Sequence, residues 1–348
     1  MNKILDPDEM PKWLSSLWKH KAFNWLYAGI NDDDCAIIEI TKKQKIVITT
    51  DFLNNSPIGL ELGISNYFDI GRLIVGSNIS DLCGTGAIPK AFLLGLMFKK
   101  GSYENNYKEI IRGVNFELDK IKIPLIGGDS KLGKENSFYG IAIGTSNNKQ
   151  KLFTKREAKP KDNLWVSGTL GNVSAAVYGL STKIMHKEWE TWAITKINEP
   201  FLPIEKSMKI ANYMVGNGGT DISDGLGSDL RDMVQLSNVG VIIEPDLIPI
   251  DKHVQEISDK MKIPAWHFAF VIGGDFQFLV TSNSSNDELM NKIGMVRIGR
   301  IIEEPEYLIK VNNLYKPLPN KGHRDINKPS FFLEVKSILE DINNNLKD

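Results

Sequence analysis

Cysteine is scarce in this chain. Its 348 residues include two cysteines, Cys35 and Cys83, which lie far apart in the sequence. That number and spacing argue against a disulfide framework and against a thiolate metal site. We therefore predict a protein of a reducing compartment, the cytoplasm. We also expect both cysteines to be packed small residues, because neither has a neighbouring histidine that could activate its thiol.

An excess of basic charge is also lacking. Lys and Arg number 42 against 43 Asp and Glu, which gives a net charge of −1. A dedicated nucleic-acid binder carries a basic surface, so no nucleic-acid partner is predicted. The longest apolar run, residues 91–98, is far too short to cross a bilayer. The N-terminus, MNKILDPDEMPKW, lacks the apolar stretch of a signal peptide. No membrane association is expected.

The length and the pattern of the chain predict two domains. The segment SNNKQK, residues 146–151, is polar and unpatterned, as a linker is, so we divide the chain into residues 1–150 and 151–348. Strand and helix patterns occur in both halves, which predicts an α/β (α+β) fold. Residues 181–200 show no regular period and are predicted to be irregular.

One stretch carries a distinctive set of polar residues. Residues 220–230 read TDISDGLGSDL, with helical apolar spacing beginning at Leu226. A strand or turn would therefore deliver Asp221, Ser223 and Asp224 at the start of a helix. Carboxylate and hydroxyl oxygens suit Mg²⁺, and free backbone N–H groups suit phosphate. The alternative is a plain helix cap, for which Ser and Asp are preferred residues.

Several other turns have the same acidic build. They are residues 32–34, Asp51 after Thr49 and Thr50, Asp81 near a helix end, Asp129 after two glycines, and Asp275 after two glycines. Each turn alone could be a solvated surface feature. Together in one cleft, these carboxylates would repel one another unless divalent cations bound there. The set therefore favours a site for Mg²⁺ and a nucleoside triphosphate.

The order of these motifs resembles a known family. The motifs are DDDCAII, ITTD, SNISDLCGTGAIPKA, LIGGD, AKPKDNLWVSGTLGN, TDISDGLGSDL and GGDFQFLV. In this order they resemble the thiamine-monophosphate kinases, whose superfamily includes aminoimidazole-ribotide synthetase and selenophosphate synthetase. The resemblance covers roughly residues 25–285. It implies a two-domain PurM-like fold, a barrel-like homodimer formed by the N-terminal domains, and a C-terminal mixed sheet with helices.

The resemblance also implies roles for individual residues, with ATP and Mg²⁺ bound between the domains. The metal ligands would be Asp34, Thr49, Thr50, Asp51, Asp81, Asp129, Asp221 and Asp224. Gly128, Asp129 and Ser223 would contact the nucleotide. Lys155 stands where the family has a phosphate-binding arginine. Lys155 and Asp224 would be the catalytic residues.

The sequence departs from the family on the acceptor side. Ile58 lies where the family has a histidine, Leu132 where it has an arginine, and Gly274 where it has a glutamate. Asp32 replaces the glycine of the first motif, and His323 stands near the place of a C-terminal aromatic residue. The positions expected to contact the acceptor are Ile58, Gly274, Asp275 and His323. The resemblance therefore predicts a conserved ATP site and an altered acceptor pocket.

The expected activity is transfer of the γ-phosphoryl group of ATP to a small, phosphorylated metabolite. Two alternatives remain open at this stage. One is a synthetase that activates an amide or carboxyl oxygen with ATP and then releases phosphate. The other is a nucleotide-binding protein that has lost catalysis. Product analysis would separate the first alternative from a kinase, because a kinase leaves the phosphate on its product.

Overall fold

The first half of the chain forms a six-stranded sheet. The computed structural model describes residues 26–29, 33–53, 57–319 and 331–345. The strands are β1 (Leu26–Ala28), β2 (Ala36–Thr41), β3 (Gln44–Leu53), β4 (Ile88–Lys99), β5 (Leu125–Gly133) and β6 (Ser137–Asn147), in the order β1-β2-β3-β6-β4-β5. Neighbouring strands are antiparallel except β4 and β5, which are parallel. The parallel pair is possible because a helix connects its strands.

Two long helices cover one face of this sheet. Among the described residues, the helices of this half are α1 (Ile58–Glu61), α2 (Tyr67–Thr85) and α3 (Glu104–Ile121). Helix α2 begins with a capping box, in which the Asn66 side chain accepts from the N–H groups of Phe68 and Asp69. It then packs against β3, β6 and α3. Its residues from Ile70 to Thr85 are buried except Ser77, so this helix forms the centre of the first half.

The second half forms a seven-stranded mixed sheet. Its strands are β7 (Asp162–Val166), β8 (Gly219–Asp221), β9 (Gly240–Ile243), β10 (Phe278–Asn283), β11 (Val296–Ile302), β12 (Tyr307–Val311) and β13 (Leu314–Pro317). Their order is β13-β12-β9-β11-β7-β10-β8, with β9 and β12 parallel. The helices are α4 (Asn172–Thr182), α5 (Glu190–Asn198), α6 (Ile204–Tyr213), α7 (Leu226–Leu236), α8 (Lys252–Met261), α9 (Asp287–Ile293) and α10 (Phe331–Asn345). The predicted mixed sheet with helices is confirmed.

Helix α2 also joins the two halves. A Cβ on Gly84 would lie 2.5 Å from the backbone nitrogen of Asp221, so only glycine lets α2 approach β8 this closely. Four residues earlier, Ser80 Oγ donates to the carboxylate of Asp221 at 2.8 Å. This contact brings the C-terminal turn of α2 to the end of β8, where acidic residues from both halves meet.

Two expectations about local structure were wrong. Residues 181–200 are not irregular, because α5 spans Glu190–Asn198 and buries Ala193 and Ile197. The helix is too short for its apolar period to be recognised from the sequence. Asp129 does not lie in a turn as predicted, since β5 continues through it to Gly133. In the described part of the chain, no helix is both long enough and apolar enough to cross a membrane.

Candidate active site

Three carboxylates converge where the halves of the chain touch. Asp34 lies in the turn before β2, Asp81 in the last turns of α2, and Asp221 at the end of β8. One oxygen from each lies within 4.8 Å of the others. Asp81 and Asp221 are buried, and Thr49 Oγ1 donates to Asp81. Separate elements thus supply a compact set of oxygen ligands.

The electrostatics of this cluster are unfavourable without a cation. Burial raises the pKa of Asp81 well above its usual value, and the charges of Asp51 and Asp221 raise it further. The pKa of Asp221 is raised by burial and by Asp34. Burial, with Asp34 and Asp224 nearby, raises the pKa of Asp51 to about 6. Buried carboxylates are stabilised by divalent cations, and Mg²⁺ prefers oxygen ligands, so this set of donors fits Mg²⁺.

Lys155 supplies positive charge to the same cluster. Its ammonium pairs with Asp34, and its side chain is 12% exposed. Burial lowers the pKa of Lys155, but the charge and the hydrogen bond of Asp34 outweigh burial and raise it overall. Its backbone N–H also donates to Asp33 Oδ2 at 3.0 Å. The lysine expected to contact phosphate therefore stays charged and is held beside the carboxylates.

A cavity of about 430 Å³ adjoins the cluster through Asp221. Its polar lining consists of Asp51, Ser77, Ser80, Asp221, Ser223 and Asp224. Its apolar lining consists of Phe52, Leu53, Pro57, Ile58, Leu73, Val173, Ile197, Ile222, Ile272 and Phe276, with Gly273 and Gly274. The structure thus gathers predicted metal, nucleotide and acceptor positions in one place. Polar and apolar walls together suit a ligand with a charged end and an apolar body.

The turn after β8 depends on a residue that the sequence reading missed. Asp229, in the first turn of α7, accepts from the backbone N–H groups of Asp224 and Gly225, each at 3.0 Å. It is buried, and burial together with the charge of Asp224 raises its pKa. An acidic residue in a first helical turn is the available sequence signal for such a cap. Asp229 therefore orients Asp224 in the cavity wall.

Other predicted site residues lie in different surroundings. Asp129 is exposed on β5, pairs with Lys131 at 2.9 Å and does not line the cavity. Gly128 precedes it, and a Cβ there would lie 1.9 Å from the Leu94 carbonyl oxygen, so β-sheet packing alone requires this glycine. Thr50 Oγ1 donates to the Gly140 carbonyl at 2.8 Å. The nucleotide and metal roles of these residues stay predictions. His323 lies outside the described residues.

Asp275 and the cysteines serve the protein's own structure. The Asp275 carboxylate accepts from the backbone N–H groups of Gly171, Asn172 and Val173, so it caps α4. Cys35 and Cys83 are buried and free, and burial raises the pKa of both thiols. Neither thiol is therefore a reactive nucleophile, as expected.

Comparison with known proteins places the chain among its relatives. Residues 32–146 match the family described as AIR synthase related protein, N-terminal domain. A thiamine-monophosphate kinase of Methanocaldococcus jannaschii is 30% identical over 292 residues, covering 80% of this chain and 88% of that protein. The chain belongs to the thiamine-monophosphate kinase family. The resemblance predicted from its motifs is confirmed. The kinase of Pyrococcus horikoshii is 29% identical over 73% of this chain and 78% of its own.

Solved structures show the same fold in thiamine-monophosphate kinases and beyond. AaThiL complexed with AMPPCP and TMP matches with a TM-score of 0.77 at 22% identity, covering 92% of this chain and 98% of that one. The hydrogenase maturation protein HypE in complex with ATP matches with a TM-score of 0.63 at 14% identity, over 82% and 87% of the chains. At these identities the likeness establishes the fold alone.

Proposed function

We propose that this protein transfers the γ-phosphoryl group of ATP to thiamine monophosphate, forming thiamine diphosphate and ADP. Membership of the thiamine-monophosphate kinase family supports this activity. The observation that carries it is the cavity shared by Asp51, Asp221 and Asp224 and an apolar wall. The acidic side suits the phosphates of both substrates with their cations, and the apolar side suits the uncharged carbon groups that adjoin the acceptor's phosphate.

We propose that Asp34, Asp81 and Asp221 hold Mg²⁺, with Asp51 and Asp224 beside them and Asp129 as a further predicted ligand. When bound, Mg²⁺ neutralises the charge of the transferring phosphoryl group. Lys155 adds a fixed positive charge next to these carboxylates. A lysine acts there as a point charge and lacks the paired hydrogen bonds of an arginine. Ser223 and Gly128 are the proposed nucleotide contacts.

The proposed transfer needs no covalent enzyme intermediate. A terminal phosphate oxygen of the acceptor forms a bond to the γ-phosphorus, while the bond from that phosphorus to the bridging oxygen of ADP breaks. A phosphate monoester is mostly a dianion at pH 7, so its attacking oxygen has no proton to lose. The protein's part is to align both phosphates and to exclude water with Ile58, Leu73 and Phe276.

We further propose a homodimer formed through the open face of the first sheet. On this face, Ile38 pairs with Ile46, and Ile48 pairs with Ile143. These isoleucines keep part of their surface exposed, whereas Val47, which points to the other face, is fully buried. An apolar sheet face of this kind is typical of a subunit interface. A barrel would result if two such sheets packed face to face.

Two expectations from the sequence are kept as proposals. We propose that residues 1–150 and 151–348 are the two domains, since the first sheet ends at Asn147 and the second begins at Asp162. We also propose a cytoplasmic location, which fits two free, buried cysteines.

The activity is tested with purified protein, ATP, Mg²⁺ and thiamine monophosphate, following ADP and thiamine diphosphate by mass spectrometry. We expect one thiamine diphosphate per ADP, and no product with excess chelator. Free phosphate in place of thiamine diphosphate would support the synthetase alternative. Replacing Asp221 with Asn should abolish turnover in a protein that is still folded.

A further inference from the structure

A second cavity, of about 260 Å³, shares one residue with the larger cavity. That residue is Gly274, which lines both. The turn that carries Gly274 packs directly on the turn that carries Ser223, since a Cβ on Gly273 would lie 1.9 Å from the Ser223 carbonyl oxygen. An acceptor whose phosphate lies beside Ser223 and Asp224 therefore has Gly274 next to it and the second cavity within reach.

Gly274 cannot provide the acidic contact that the family resemblance places at this position. It has no side chain, and its φ of +92° lies in a region that favours glycine over other residues. Space is not the obstacle, because a Cβ there would lie 3.5 Å from Val173 Cγ2, an ordinary contact. A negative charge for a cationic acceptor must therefore come from another residue near Gly274.

Two carboxylates line the second cavity, and they differ in how they are used. Asp275 is occupied by three backbone N–H groups at the start of α4. Glu199 has a side chain that is 50% exposed, and its Oε2 lies 3.2 Å from Nη2 of Arg72. Arg72 is itself buried and fixed by Glu117. Glu199 is thus held in place by a rigid partner while half of its side-chain surface faces outward.

One cation, Lys196, also lines the second cavity. Burial raises the pKa of Asp251, but hydrogen bonds from His253 and nearby positive charge, including that of Lys196, lower it overall. Lys196 thus lies close enough to Asp251 for the two side chains to attract one another. Arg72 similarly shares its charge between Glu117 and Glu199.

We propose that the second cavity is the acceptor's distal subsite and that Glu199 is its specificity-determining carboxylate. The subsite would take the cationic, amino-bearing ring portion of the acceptor, while its phosphate lies in the larger cavity. This inference rests on the proposed function. It assigns to Glu199, on the loop after α5, the negative charge that Gly274 cannot supply. The acceptor is then selected by a negative charge that a different element of the fold supplies.

The decisive variant is Glu199→Gln, which removes the charge but keeps an oxygen that can accept from Arg72. We expect the KM for thiamine monophosphate to rise about tenfold, as for a lost charged contact. The KM for ATP should be unchanged. The matched control is Glu205→Gln, which neutralises a glutamate with a 91% exposed side chain on α6 and should leave both KM values at wild-type levels.

Two further measurements separate recognition of charge from damage to the structure. The first is an acceptor whose ring is uncharged, the phosphate ester of 5-(2-hydroxyethyl)-4-methylthiazole. Glu199→Gln should lower kcat/KM for thiamine monophosphate relative to this ester by about tenfold, whereas structural damage would lower both equally. The second is Gly274→Glu in the Glu199→Gln background, which should restore part of the lost affinity for the acceptor. Gly274→Ala measures the effect of backbone strain alone.

The outcomes distinguish this inference from the proposed function. If wild type forms thiamine diphosphate but Glu199→Gln keeps the wild-type ratio between the two acceptors, the role of Glu199 is overturned and the kinase activity stands. If wild type forms no thiamine diphosphate, the proposed function fails, and calorimetry with thiamine, which lacks the phosphate, decides the subsite. Binding that Glu199→Gln weakens would support it, and absence of binding by wild type would overturn it.

Discussion

Replacing Asp81 with Asn should stabilise the metal-free protein while abolishing its activity. In the native chain, an Asp81 oxygen lies within 4.8 Å of oxygens of Asp34 and Asp221. The change removes one of three crowded charges and keeps the shape of the side chain. The new amide can donate to the remaining carboxylates, and its oxygen can still accept from Thr49. The substitution therefore isolates the effect of charge.

The size of the effect depends on whether Asp81 in the native protein is charged or protonated. If it stays charged, each neighbouring charge, which lies within 4.8 Å, costs at least about 3 kcal/mol at an effective dielectric constant of about 20. If it binds a proton at pH 7, the cost is about 4 kcal/mol, from about 1.36 kcal/mol per pH unit above an ordinary pKa of about 3.9. Lys155 offsets part of either cost through Asp34. We expect a net gain of about 2 kcal/mol.

The assay is urea unfolding at pH 7, first in excess chelator and then with Mg²⁺ and a non-hydrolysable ATP analogue. In chelator, Asp81→Asn should have the higher free energy of unfolding, and a separate thermal scan should give a Tm about 4–8 °C above that of wild type. With Mg²⁺ and analogue, wild type should gain stability by mass action and the variant should not. Asp119→Asn, at an exposed position on α3, should behave as wild type in both conditions.

One result would refute this reasoning. Suppose that Asp81→Asn were no more stable than wild type in chelator and gained as much stability from Mg²⁺ and the analogue. Repulsion between the carboxylates would then not destabilise the protein, and the cluster would not bind the metal. A stabilised variant that retained full turnover would refute the catalytic part alone.

Three further predictions concern other parts of the fold. Burial lowers the pKa of His267 to about 4. The stability that goes with its neutral form is therefore complete above pH 6.5, and roughly 3 kcal/mol of the free energy of unfolding is lost as the pH falls through 4. His267→Phe should remove this pH dependence in urea unfolding between pH 4 and 7. Gly84→Ala should cost about 1–3 kcal/mol and lower kcat, because its Cβ would push Asp221 away from α2; unchanged kcat and stability would contradict the close contact. Ile143→Asp should convert the proposed dimer to a monomer, as measured by light scattering. The same mass for variant and wild type would contradict the interface.

Much of the fold could be read from local patterns. The helix end predicted near Asp81 is observed in α2, and the acidic turn at Asp221 does lie between a strand and a helix. Such long periodic elements carry their own signal. Short or late elements did not. Helix α5 and strands β11 to β13 have weak local periods, and their structure depends on packing against the rest of the second half.

The candidate site shows the same division. The sequence marked acidic turns as a group, because carboxylates beside glycines and helix starts are local features. It could not show which of them meet. Asp34, Asp81 and Asp221 converge, whereas Asp129 stays exposed with Lys131. The sequence also predicted that Asp275 contacts the acceptor, although the carboxylate of this residue caps α4.

By itself, the sequence determined the family and the kinds of ligand that the acidic turns favour. Both rest on the order and chemistry of local motifs. Only the tertiary structure decided the partners of each charge. The proximity of Asp34 to Asp221, of Glu199 to Gly274, and of Ser80 to Asp221 depends on how distant segments pack. Electrostatic energy falls with distance through space, and distance along the chain does not determine it.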